Sequence, residues 1–323
     1  METVISDISF NNSDVIKKHL IDIIDEECSG FKIDYEYNFK KTIVKKLIDL
    51  KDVEFDQISL TFKTKGEILL QKFKNSLPRI YFNEFELTQI ENILIKIRNN
   101  LSNQIVYSST CEELEKGLQN SDKKKNWSLF EREIPSYAQI IKNPLYKEGY
   151  PGMDMIDREF ISIESLPGHQ HLMNYNDMLW FGSSWQMYFS TLYYKYIPKP
   201  LFDDFKDCYE NIIFENGLRK ITLHKNVMDY DLPENRQRQW SFRQQLGIDS
   251  IAHELTRSSN RIEPLNLPVI ITKQNCEKGQ TRVTRFLDDN NKLISSDKAA
   301  KKEIKEYLDD GLTVVLETIV DNL

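Results

Sequence analysis

Apolar residues in the first hundred positions recur mostly at steps of three and four, the spacing that places side chains on one face of an α-helix. This spacing predicts helices over residues 15–24, 35–50 and 66–75. The run 58–62 is short and fits either a strand or a loop. A helical subdomain is therefore expected in the first third of the chain.

A fourth helix is predicted to begin at residue 83. Asn83 is the predicted N-cap, and Glu86, three residues further on, would complete a capping box. The apolar positions that follow share one face of this helix: Leu87, Ile90, Ile93, Leu94, Ile97 and Leu101. This stripe predicts that the helix packs against a hydrophobic core.

The pattern changes after residue 150, where short apolar and β-branched runs predict strands. These runs occupy residues 160–163, 218–223, 269–272, 282–287 and 312–320. The last of them predicts a buried final strand, whereas the charged run 298–308 predicts a helix that ends at Gly311.

Strands mixed with helices, without a regular βαβ order, favour the α+β class. We expect a helical N-terminal region, residues 1–121, followed by a mixed α/β domain, residues 122–323, with a mainly antiparallel sheet. The boundary is predicted within the polar segment 112–127, which contains three consecutive lysines, Lys123 to Lys125.

Composition and charge narrow the functional classes. The chain has 323 residues and a formal net charge of −7, and neither half is basic, which argues against direct nucleic-acid binding. Its four cysteines form no CxxC pair, which argues against a zinc ribbon or a disulfide framework. Its first residues lack the basic start and apolar run of a signal peptide, and no run of about 18 apolar residues occurs. We expect a cytoplasmic protein with no membrane segment and no cofactor.

Aromatic residues are concentrated in one segment, residues 177–198, which holds eight of them between Trp180 and Tyr196. The segment is predicted to be a helix that ends before Pro198, although residues 178–181 also fit a strand. Most of these side chains fit a hydrophobic core. Because tyrosine and tryptophan are common at interface hot spots, Trp185, Tyr188 and Tyr193 are candidates for contact with a partner or ligand.

A second cluster, residues 231–249, combines arginine, glutamine and tryptophan on a predicted helix behind Pro233. Arg236, Gln239, Trp240 and Arg243 are the candidate binding residues here, since arginine beside tryptophan clamps carboxylates or forms stacked pairs. The alternative is a surface helix whose arginines pair with nearby acids.

The absence of common catalytic motifs gives little support for an enzyme. The sequence lacks GxSxG, GxxxxGK[ST], HExxH and a GxGxxG that follows a strand. His169 and His171 are two residues apart, and two such histidines can ligate one metal, so a metal- or nucleotide-dependent hydrolase is one alternative. A second alternative is a protein-interaction adaptor that docks through its N-terminal third.

Several motifs in residues 160–249 resemble those of bacterial immunity proteins, the cytosolic partners of polymorphic or contact-delivered toxins. The first group is Trp185-x-Met187-Tyr188-Phe189, Tyr193-Tyr194, Tyr196-Ile197-Pro198-Lys199 and Phe205. The second group is Asn216-Gly217, Ile221-Thr222-Leu223, Pro233-Glu234-Asn235-Arg236 and Trp240-x-Phe242-Arg243. The resemblance implies a non-catalytic α+β protein that binds a cognate toxin protein and blocks it by covering an active site or a substrate surface.

Overall fold

The computed structural model describes residues 3–51, 53–63, 66–72, 77–112, 140–142, 146–153, 158–161, 171–173, 179–251, 266–273 and 275–321. Strands dominate these residues. In chain order they are β1 (Val4–Phe10), β2 (Phe31–Tyr37), β3 (Lys40–Val44), β4 (Gln57–Phe62), β5 (Glu67–Gln71), β6 (Arg79–Phe85), β7 (Ile105–Glu112), β8 (Ile140–Lys142), β9 (Glu159–Ile161), β10 (His171–Met173), β11 (Leu179–Phe181), β12 (Gln186–Phe189), β13 (Glu210–Ile213), β14 (Arg219–Thr222), β15 (Val269–Thr272), β16 (Thr281–Leu287), β17 (Lys301–Tyr307) and β18 (Val314–Asp321).

The described α-helices are α1 (Ile21–Glu27), α2 (Leu87–Leu101), α3 (Lys199–Asp204) and α4 (Pro233–Gln245). A π-helical turn, Ile16–Leu20, leads into α1, and 3₁₀ turns lie at Leu47–Leu50, Thr191–Lys195, Val227–Asp231 and Ser296–Lys298. None of the helices in the described part of the chain combines the length and the apolar composition that a membrane crossing requires.

Ten strands form one antiparallel sheet in the order β13-β14-β12-β7-β1-β6-β5-β4-β2-β3. The strands β15 to β18 form a separate four-stranded antiparallel meander, and β8 with β9 and β10 with β11 form two short two-stranded antiparallel sheets. The large sheet takes β1 to β7 from the first 121 residues and β12 to β14 from the remainder. The predicted boundary itself falls within residues 113–139, outside the described residues.

The predicted fold class, a helical N-terminal region followed by a mixed α/β domain, is wrong. Residues 35–50 and 66–75, predicted as helices, instead supply the end of β2, all of β3 and β5. Asn38 and Phe39 form the β2–β3 turn with φ of 48° and 63°. A step of four residues places two side chains on the same side of a helix and also of a strand, whose period is two. Pairing with neighbouring strands therefore decides between the two structures.

Helical spacing does identify α2. Ile90, Ile93, Leu94, Ile97 and Leu101 are buried, as the stripe predicts. The predicted cap is displaced by three residues.

Asn83 lies in β6, and Glu86 is the N-cap of α2. The Glu86 side chain accepts from the N3 backbone N–H, while the Gln89 side chain accepts from the Glu86 backbone N–H at 2.9 Å. The helix therefore has a capping box, shifted along the chain from its predicted position.

The two faces of the large sheet contact different hydrophobic cores. On one face, alternate residues of β1 and β4 to β6, among them Ile8, Leu60 and Ile80, pack beneath α1 and α2. On the other face, Met187 and Phe189 of β12 pack into a second core that is rich in aromatic residues. Alternation along each strand produces this division, because successive side chains point to opposite faces.

The C-terminal meander contributes to the second core. Val269, Ile271 and Val283 are buried there. At the β17–β18 turn, Gly311 has φ of 63°, and its carbonyl accepts from the Lys199 backbone N–H at 3.0 Å. A Cβ at this position would lie 2.0 Å from the Tyr194 carbonyl oxygen. The turn therefore needs a glycine to approach the Thr191–Lys195 segment this closely.

Two further C-terminal predictions are wrong. Residues 298–308 were expected to form a charged helix, but β17 is paired along both edges, with β16 and β18. The final strand exists as β18, yet much of it is exposed because it forms an edge of the meander. A run of lysine and glutamate residues fits a solvent-exposed helix, but it also fits a strand whose backbone N–H and C=O groups are hydrogen-bonded to two neighbouring strands.

Glu306 of β17 is a buried carboxylate held by backbone donors. Its oxygens accept from the backbone N–H groups of Glu277, Lys278 and Gly279 at 2.7 to 3.0 Å, and from Arg282 Nε at 2.9 Å. Burial acts to raise the pKa of Glu306, but these hydrogen bonds outweigh it and lower the pKa from 4.5 to about 2.

We expect Glu306→Gln to lower the free energy of unfolding at neutral pH by about 1–3 kcal/mol, because an amide fails to satisfy donors that a carboxylate satisfies. The folded-state pKa is depressed, so this stabilisation is complete above about pH 4.5 and is lost as the pH falls through about 2. Urea unfolding across this range, with the exposed Glu317→Gln as control, measures the difference. A difference that does not change with pH would contradict this prediction.

Candidate binding groove

A row of polar side chains crosses the large sheet on the face that carries α1 and α2. Strand register aligns five of them in neighbouring strands: Ser6, Thr110, Gln186, Thr222 and Glu210. Oxygen atoms of Ser6 and Thr110 lie 3.0 Å apart, and Thr222 Oγ1 is bonded to both Gln186 Nε2 (3.4 Å) and Glu210 Oε2 (3.3 Å). Two members of this polar row, Thr110 and Gln186, line the floor of a groove.

Helix α2 forms a wall beside the polar row. Leu87, Glu91, Leu94 and Arg98 follow one another at steps of four, three and four, so they share a side of the helix. The turn between β13 and β14 forms the opposite wall with Phe214, Glu215 and Asn216. Helix, strands and turn together enclose a groove of about 640 Å³.

Arg98 supplies a positive charge inside the groove. Its Nη2 donates to Thr110 Oγ1 at 3.3 Å, and its guanidinium carbon lies 4.5 Å from the centre of the Tyr188 ring. Its Nε is buried and has no hydrogen-bond partner. Burial lowers the pKa of Arg98 from its ordinary value, opposed by its contacts with Tyr188; arginine nevertheless keeps its charge in proteins.

Trp185 and Tyr188, two of the predicted partner-binding residues, line this groove. Trp185 Nε1 donates to the His224 carbonyl at 2.7 Å, which holds the indole in place immediately before the first residue of β12. The Tyr188 ring is nearly parallel to that of Phe214, with an interplanar angle of 9° and centroids 6.3 Å apart. Tyr188 therefore contacts both the Arg98 guanidinium and the Phe214 ring of the β13–β14 turn.

The aromatic segment does not form the predicted helix. Residues 179–196 run as β11, β12 and the Thr191–Lys195 3₁₀ turn. Tyr193 is fully buried in the second core, where its hydroxyl donates to the Trp180 carbonyl at 2.7 Å. Burial raises the pKa of Tyr193 well above its ordinary value. The strand alternation of β12 separates Tyr188 from Phe189, so one side chain reaches the groove and the other reaches the core.

The remaining predicted partner-binding residues lie on α4. Arg236 and Trp240 are half-buried, and Gln239 is buried. Arg243 is fully buried, and its Nε and Nη2 both donate to Asp249 Oδ1, the first at 3.0 Å. Gln239 and Arg243 are therefore part of the protein interior, and neither lines the groove that contains Trp185 and Tyr188.

The histidines proposed as an alternative metal site are only partly described. His169 lies outside the described residues, and the backbone of His171 pairs with Phe181 in the two-stranded sheet of β10 and β11. Across the described ranges, no group of three or more His, Cys, Asp or Glu side chains is arranged to hold a metal ion.

Several groove residues were not predicted from the sequence, among them Arg98, Thr110, Phe214 and Lys220. Arg98 had a detectable signal, because Ile95, three residues before it, is an apolar residue outside the core stripe of α2. Thr110 and Lys220 had none, since their place in the groove depends on pairing between strands far apart in sequence.

Comparisons of this chain with protein-family models, with curated proteins and with solved structures gave no match.

We expect Arg243→Met to lower the free energy of unfolding by about 3–5 kcal/mol, because it leaves the buried Asp249 carboxylate without its cation. The control is Arg238→Gln, which removes a surface ion pair with Asp207 and should cost less than about 1 kcal/mol. Chemical denaturation measures both. Equal effects of the two substitutions would contradict a structural role for Arg243.

Proposed function

We propose that this protein is a non-catalytic binding protein, an immunity protein that binds and neutralises a cognate bacterial toxin. The observation that carries the proposal is the groove between α2 and β12–β14. Of the sixteen residues that line it, seven are aromatic or aliphatic and nine are polar or charged, and protein-recognition surfaces likewise combine apolar anchors with a polar rim.

The segment that resembles immunity proteins supplies part of this groove. Trp185 and Tyr188 come from the first group of motifs, and Asn216 from the second. Tryptophan, tyrosine and arginine contribute most to binding energy when a partner excludes water from them. Trp185, Tyr188 and Arg98 bring all three residue types to one surface.

Exposed apolar side chains at the groove support binding of a macromolecular partner. Ile95 is 46% exposed and Phe214 is 42% exposed, and they stand on opposite walls. A partner that inserts a side chain between them would remove both from water, which contributes about 25 cal/mol for each square ångström buried.

The proposal is tested by expressing this chain together with each protein encoded beside its gene. We expect one neighbour to arrest growth when expressed alone and to be suppressed when this chain is present. The inactivated toxin should form a complex with the purified chain, measured by calorimetry. If no neighbour is toxic, or if none is suppressed, the proposed function is wrong.

We expect Ile95→Arg to weaken this complex at least tenfold, about 1.4 kcal/mol, because it places a charge on the apolar wall. Leu192→Arg is the matched control, since Leu192 is also 46% exposed and lies outside the groove lining. Equal affinities of the two variants would show that the toxin binds elsewhere.

A further inference from the structure

We propose that the groove is a binding site for a small organic acid, with one carboxylate beside Arg98 and an aromatic or branched apolar body between α2 and the β13–β14 turn. The site lies in the same groove as the proposed toxin contact, but the argument for it does not depend on that partner. It rests on the charge, the shape and the apolar walls of the groove.

The charge of Arg98 is not balanced by a described carboxylate. Among the described residues, its hydrogen-bond acceptor is Thr110 and its ring contact is Tyr188, and no acidic group lies within ion-pair distance. A half-buried guanidinium has five N–H donors, and a carboxylate is the acceptor that matches their planar geometry best. A ligand carboxylate would balance this charge.

The other charged groups of the lining differ from Arg98. Lys220 forms an ion pair with Glu210, so its charge is already balanced. Glu91 and Glu215 are exposed to solvent, which screens their repulsion of an anion. Arg98 is therefore the group in the described lining that favours an anion, and it favours a single carboxylate over a polyanion.

The apolar part of the groove determines the rest of the ligand. Leu94, Ile95 and Leu218 provide aliphatic surface, and Trp185 and Phe214 provide aromatic surface. A volume of about 640 Å³ lies within the range of roughly 300–1,000 Å³ that is usual for small-molecule sites. These side chains would pack against the apolar body of the proposed ligand.

The test uses the full chain labelled with ¹⁵N and the indole N–H signals of its four tryptophans. The Trp185 signal is assigned from Trp185→Phe. We expect 3-phenylpropanoate to shift this signal saturably and to bind at least tenfold more tightly than its neutral amide, 3-phenylpropanamide. The Trp240 signal, outside the groove lining, should stay in place.

Substitutions separate the charge from the apolar walls. Arg98→Gln should abolish the preference for the acid over the amide, whereas Lys292→Gln, which removes an exposed charge from the meander, should retain it. Phe214→Ala removes a ring that is 42% exposed and lies against Tyr188, and it should weaken the acid and the amide together, which provides a test even if Arg98→Gln fails to fold.

Three outcomes would overturn the inference. The first is equal affinity for the acid and the amide, and the second is an acid preference that survives Arg98→Gln. The third is tighter binding of the peptide acetyl-Ala-Ala-Phe than of 3-phenylpropanoate, which would assign the groove to a peptide C-terminus. Suppression of a toxin by the same variants is measured separately, so failure here leaves the proposed function unaffected.

Discussion

The structure depends on the pairing of β7 with β1 on one side and with β12 on the other. β7 is buried along its whole length. Its residues 105–112 pair with residues 4–10 of β1, and its residues 107–110 pair with residues 186–189 of β12. Antiparallel pairing places side chains that are distant in sequence into rows across the sheet. The polar row, the base of the groove and the division between the two cores all follow from this register.

Charged groups in the interior have two different roles. Arg243 and Glu306 are matched, the first by Asp249 and the second by backbone N–H groups with Arg282. Such matched groups fix the geometry of the second core and of the meander, because removing either partner would leave a buried charge uncompensated. Arg98 differs, since its described contacts are a hydroxyl and an aromatic ring, and the groove opens beside it.

Helical spacing identified α2 because its core stripe contains steps of three as well as steps of four, and a step of three is incompatible with one face of a strand. The segment 35–50 was misassigned because its apolar residues recur mostly at steps of four, which fit either structure. Aromatic content pointed to Trp185 and Tyr188, which line the groove, but also to Tyr193, which is buried in the second core. Only the strand alternation and the 3₁₀ turn separate the two groove residues from the buried one.

The sequence by itself determined where apolar surface is concentrated, the position of α2, and the presence of strands near residues 219–222, 269–272 and 281–287. These features depend on residues that are close together along the chain. The tertiary structure alone decided that the N-terminal region is a sheet, that Arg243 is buried, and that Arg98 meets Tyr188 beside Thr110. Each of these depends on contacts between distant segments, whose register is set by strand pairing and packing and not by local spacing.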